Sequence, residues 1–197
     1  MNIKNSSTLT KKYKLILSAV HMVYRLVNST YDVKELALRL TRLLCQFIKA
    51  SSSSICILDP DKKRIVLAAI FDNKINILLN KRKDLDNISL KERNVAKGYA
   101  IFEKHLIGLP LVADENIGAV FVRRKKEEPP FSEFDREMLS VIVEQSVTAL
   151  KNIQLYEEQQ RIILGSMKFI GELLKRQGYS SLTSHTPVYF KIIKLVF

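Results

Sequence analysis

A chain of 197 residues with 47% apolar and 26% charged side chains can bury a real core, and its composition is that of an ordinary globular protein rather than a disordered or fibrous one. The formal charge of +12 is uneven: residues 1–30 carry five basic and no acidic side chains, residues 161–197 six basic and one acidic, and the stretch between is nearly balanced. No aromatic-interleaved basic stripe accompanies the charge, no run of roughly 18 apolar residues is present, and the two cysteines lack metal-ligand or disulfide-framework spacing. Nucleic acid, a membrane and a zinc site are therefore not the expected partners, a cytoplasmic protein is expected, and Cys45 and Cys56 read as core thiols.

In chain order, residues 9–28 place Leu15, Ala19, Met22 and Leu26, flanked by Ile16, Val20, Val23 and Val27, at spacings of three and four, which predicts an amphipathic helix. Asn28-Ser29-Thr30 breaks it, and Asp32 is placed to cap a second helix carrying Leu36, Leu40, Leu43, Leu44 and Phe47 on one side and ending near Ala50. Residues 51–54 read as a polar hinge of four serines. A strand follows at residues 55–58, a turn at Asp59-Pro60-Asp61-Lys62, and a returning strand at 64–70, together a β-hairpin. A short strand is expected around Ile75, Ile77 and Leu79, then a charged loop over 81–86 and a weak helix over 91–104 with Val95, Tyr99 and Phe102 on one face. Residues 106–112 form a strand in which Pro110 calls for an edge position or a bulge.

Residues 118–160 hold the chain's organising junction. Gly118-Ala119-Val120-Phe121-Val122 reads as a strand, Pro129-Pro130 stops it, and Ser132 and Asp135 make an imperfect capping box for a long helix begun by Met138, Leu139, Ile142 and Val143. The order of elements is that of an α+β fold with an antiparallel sheet flanked by helices.

Beyond residue 155 the helical period continues. Alternating steps of four and three run through Ile142, Ser146, Ala149, Ile153, Tyr156, Gln160, Ile163, Met167, Ile170 and Leu174, a seam suited to a coiled coil or bundle with Ser146 and Gln160 as polar interruptions. The expected partner is a second copy of the chain, the N-terminal and C-terminal helices forming a parallel bundle. The expected organisation is an N-terminal helix at 1–30, a domain at 31–154, a signalling helix at 155–176 and a C-terminal stub at 177–197. No Gly-rich phosphate loop, nucleophile elbow or HExxH motif is present, and no enzyme, cofactor or metal is expected.

Three runs of residues resemble the GAF domain, a sensory module related to PAS domains: Leu109-Pro110-Leu111-Val112; Ile117-Gly118-Ala119-Val120; and Pro130-Phe131-Ser132-Glu133-Phe134-Asp135 with the helix ending Ala149-Leu150-Lys151-Asn152-Ile153-Gln154-Leu155-Tyr156. The resemblance implies a GAF/PAS-like fold over about residues 15–160 and a sensory, dimerising role that relays a signal to an output domain. The segment before the Pro110 strand is shorter than that of ligand-holding members, and an NKxxFxxDE-type element is absent, so a small-molecule ligand is not expected. His105 reads as a surface or hydrogen-bonded residue rather than a metal or haem ligand. Residues 169–188, including Ser184-His185-Thr186-Pro187-Val188, are similar to the opening of an HD-GYP phosphodiesterase domain; with no later His-Asp pair before Phe197, the alternative readings are a regulatory fragment of such an enzyme or a basic nucleic-acid or membrane adaptor.

Overall fold

The computed structural model describes residues 3–30, 32–72, 75–79 and 83–176, with side chains described from Thr10 to Lys175. It divides into two units, Met1–Gln154 and Leu155–Phe197. The first begins with α1 (Ile3–Asn28) and α2 (Val33–Ile48). Asp32 caps α2 as its spacing predicts, its carboxylate accepting from the Lys34 amide at 2.8 Å. Val33, Leu36, Ala37, Leu40, Leu44 and Ile48 are buried on one face, the helical period recovered as packing.

A seven-stranded antiparallel sheet follows: β1 (Ser52–Leu58), β2 (Arg64–Asp72), β3 (Ile75–Leu79), β4 (Lys83–Asp84), β5 (Ile101–Phe102), β6 (Leu106–Val112) and β7 (Asn116–Arg123). Its order is β3-β2-β1-β7-β6-β5, with β4 pairing on β2. The α+β antiparallel architecture read from the sequence is thus the one observed. The hairpin turns where Asp59 predicts it, the side chain accepting from the Lys63 and Arg64 amides at 2.8 and 3.1 Å. Pro110 is placed as its chemistry demands: β5 reaches only Ile107 and Gly108, so beyond them β6 is the edge of the sheet.

Three local expectations are corrected. Ser52, Ser53 and Ser54 are not a hinge but the first residues of β1, and the buried Ser53 hydroxyl donates to the Thr41 carbonyl of α2 at 2.6 Å. The helix expected over 91–104 is α3 (Leu90–Ala96) alone. It ends because Gly98 takes φ +102°, open to glycine, so Tyr99 and Phe102 leave the helix and Phe102 enters β5. The charged loop expected over 81–86 instead contains β4 and the start of a 3-10 turn, Leu85–Asn87.

The main core lies between one sheet face and the helices. Ile55, Ile57, Leu67, Ile107, Leu111, Val120 and Val122 of the sheet meet Leu36, Leu40, Leu44 and Ile48 of α2, Ala19 and Val23 of α1, and Met138, Leu139, Ile142 and Leu150 of α4 (Glu133–Arg176). The opposite face is filled at short range. Val95 of α3 is fully buried among Ala119, Phe121, Ile101 and Leu106, and a Cβ on Gly108 would lie 2.8 Å from Val95 Cγ2 and 2.9 Å from Phe121 Cε1. Leu58, Ile65, Leu85 and Ala96 make a second small cluster beside it. In the second unit the described residues are those of α4 from Leu155 on; the stub expected at 177–197, His185 included, lies outside the described residues.

Candidate functional site

The junction at the end of the sheet is built on one arginine. Arg124 directly follows β7, and its side chain is only 8% exposed. Its guanidinium donates to Ile48 O at 2.6 Å and Lys49 O at 3.2 Å, the C-terminal carbonyls of α2. It also donates to Pro129 O at 3.2 Å and Pro130 O at 3.0 Å, and lies 3.3 Å from Asp135 Oδ2 in the first turn of α4. The Phe131 ring sits against its flat face, 4.3 Å from centroid to Cζ. A planar five-donor fork suits this arrangement; a lysine ammonium could not reach all of these acceptors at once.

Each neighbour is held independently. Lys49 adopts φ 53°, turning the end of α2 into a left-handed cap whose carbonyls then face Arg124. Ser132 accepts from the Asp135 amide at 3.2 Å, and Asp135 accepts from the Ser132 amide at 2.7 Å and hydroxyl at 2.8 Å, completing the box anticipated in the sequence. Glu128 accepts from the Ser51 hydroxyl and, at 2.8 Å, from the Lys125 amide, fastening the loop to the start of β1. These bonds, the Ser51 hydroxyl first and the Lys125 amide second, hold the Glu128 carboxyl below its usual range. Together these bonds join the ends of α2, β7 and α4.

The predicted seam residues are divided by the structure. Ile142, Ala149 and Ile153, with Ser146 between them, are buried in the first unit, where Ile142, Ala149 and Ile153 belong to the main core and the Ser146 hydroxyl donates to Ile142 O at 2.6 Å. In the second unit Tyr156, Ile163, Met167, Ile170 and Leu174 are exposed. Leu155, Ile162, Leu164 and Phe169 are exposed as well, so the apolar arc is wider than the single seam expected.

His105 is half-buried at the entrance to β6; its carbonyl accepts from the Arg124 amide at 3.0 Å, while its Nδ1 is enclosed without a hydrogen-bond partner. Among the described residues no group of three metal-ligating side chains occurs and no helix is long and apolar enough to cross a membrane. Burial raises the Cys45 thiol, and desolvation first and the Glu92 carboxylate second push Cys56 up to about 12, although part of its surface remains accessible. A groove of about 560 Å³ lies on the helical side, lined by Met22 and Leu26 of α1, Leu38 and Arg42 of α2 and Asn76 of β3, among others.

The structure resembles solved proteins while the sequence alone does not: no protein-family model and no curated protein matches the chain. The GAF domain of an Acinetobacter phosphoenolpyruvate-protein phosphotransferase superposes with a TM-score of 0.56 at 14% identity, covering 73% of this chain and 97% of that one. A segment of a methyl-accepting chemotaxis protein gives 0.56 at 13%, covering 68% and 98%. A free methionine-R-sulfoxide reductase of Neisseria meningitidis, solved with its substrate, gives 0.56 at 14%, covering 72% and 91%. At such identities the likeness is one of architecture, and that architecture, a seven-stranded antiparallel sheet between helices, is the GAF fold.

Proposed function

We propose that this chain is a non-catalytic GAF-type sensory and dimerisation module that passes a change in domain packing through α4 to an output domain. The Arg124 junction carries this reading: one nearly buried guanidinium ties the end of the α2 layer, the last strand and the first turn of a 44-residue helix. These shared bonds give a rearrangement at the end of α2 or β7 a direct route to the first turn of α4, beside the packing of Met138, Leu139, Ile142 and Leu150 in the main core. The exposed apolar residues of α4 from Tyr156 to Leu174 supply the surface for a second copy. Two similar structures are a domain of a phosphotransferase and a segment of a chemotaxis protein, which supports a regulatory role within a larger assembly.

The reductase neighbour raises an enzymatic reading, but thiol-based reduction of a sulfoxide calls for an accessible thiolate, and both cysteines here are shifted the opposite way. The close packing of Val95, Gly108 and Phe121 fills the sheet directly beneath α3, which favours a protein-borne input over a small molecule held at that spot. Native mass spectrometry of freshly purified protein tests the reading. A dimer without a retained small molecule is expected; a monomer carrying a stoichiometric ligand would contradict it.

A further inference from the structure

The two edges of the sheet are finished differently. At one end β5 is two residues long, and the stretch of β6 it leaves open contains Pro110, which cannot donate to an incoming strand. At the other end β3 runs for five residues without a proline or a break in register, and among the described residues it pairs with β2 alone. Successive side chains of a strand point to opposite faces. Leu78 packs against the main core, so Ile75, Ile77 and Leu79 stand on the other face, 61%, 42% and 41% exposed, beside Ile70, the half-buried cross-strand partner of Ile77. An edge with open backbone groups and exposed apolar side chains is one that a further strand can extend.

The helical side of the same edge is polar and basic. The groove of about 560 Å³ reaches β3 at Asn76, which lines it together with Arg39, Arg42 and Gln46 of α2. Arg42 stands over Phe71, the cross-strand partner of Asn76, with Cζ 5.8 Å from the ring centre. Arg39 has Glu35 as its ion-pair partner, whereas among the described residues no carboxylate pairs with Arg42. We infer that the β3 edge takes up an extended segment of a partner protein as a further strand, and that this segment alternates apolar with acidic side chains. Its apolar row lies beside Ile75, Ile77 and Leu79, and its acidic row faces Arg42 at the groove. The β3 of a second copy has no acidic residue and would bring Arg42 no carboxylate. The inference rests on the protein-borne input proposed above and names the edge on which it docks.

Hydrogen exchange of the intact chain tests it with two blocked heptapeptides, one alternating glutamate with valine and the other lysine with valine. The glutamate peptide should slow exchange at alternate amides of residues 75–79, the signature of ladder bonds formed on one side of a strand, and the lysine peptide should not. Ile77→Lys should weaken binding of the glutamate peptide by at least roughly tenfold, and Arg42→Glu should transfer the preference to the lysine peptide. The second variant decides the matter if Ile77→Lys does not fold. Absence of protection at about 1 mM of either peptide, or protection by both alike, overturns the inference. So does slow exchange of these amides in the peptide-free chain that is lost on dilution, which would place a second copy on the edge. Either failure leaves the dimer expected in native mass spectrometry unchanged, whereas a stoichiometric small molecule in that spectrum would overturn the protein-borne input itself.

Discussion

Replacing Arg124 with alanine should weaken two places that are far apart in sequence. The substitution removes four donors to carbonyl groups, the ion pair to Asp135 and the cation over Phe131. A hydrogen bond involving a charged group contributes about 1.5–3 kcal/mol, and losing one partner of a buried pair about 3–5 kcal/mol, values that are not additive. Much of the acceptor surface borders solvent, so water replaces part of what is lost. The net cost is expected at about 2–4 kcal/mol, a Tm lower by roughly 5–12 °C for a unit of this size. Thermal unfolding reads the total, and hydrogen exchange locates it: faster exchange is expected both at the end of α2 near Ala50 and in the first turn of α4, with Arg124→Lys intermediate. A loss below about 1 kcal/mol, or faster exchange confined to the loop around residues 124–131, would refute the junction as the tie between α2 and α4.

Gly118→Ala should cost more than about 3 kcal/mol or prevent folding, read by urea denaturation, because its Cβ would lie 2.1 Å from the Cys56 carbonyl oxygen and push β7 off β1. Glu128→Gln should lower the urea midpoint at neutral pH. Because the folded carboxyl is held below its ordinary 4.5, its stabilisation is present above that value and is lost as pH falls through the folded value, so the two proteins should converge in strong acid. Both thiols should resist a disulfide reagent at pH 8 in the folded protein and react on unfolding. Since Cys56 is raised from 9.0 to about 12, its contribution is intact below pH 9 and lost as pH rises toward 12, so Cys56→Ala should flatten the alkaline fall in stability.

Most of the fold was legible because its signals are local. The period of α2, the Asp59 turn and the Ser132 box each depend on neighbours within a few residues, and the structure realises each of them, whereas β7 already ends at Arg123, ahead of Pro129-Pro130. The serines of β1 were misread because polarity alone suggests a hinge, whereas Ser53 is buried through a bond to Thr41 twelve residues away. The Arg124 junction was invisible for a related reason. One arginine in the charged run 123–128 looks solvated, and nothing within that run shows that Ile48, Lys49 and Asp135 converge on it. The seam posed the reverse difficulty: the same helical period serves a face buried in its own core, as at Ile142 and Ile153, and one left exposed, as at Ile163 and Ile170. Periodicity reports that a helix has an apolar face and does not say what covers it.

The central claim is that α4 of two copies run together and that their arrangement depends on the junction at Arg124. A spin label on Lys168→Cys, an exposed position of α4, measures this directly by pulsed electron resonance in the otherwise intact chain. A short intermolecular distance with a narrow distribution is expected, broadened or shifted when Arg124→Ala is added. No intermolecular distance, or one that Arg124→Ala leaves unchanged, would contradict the account.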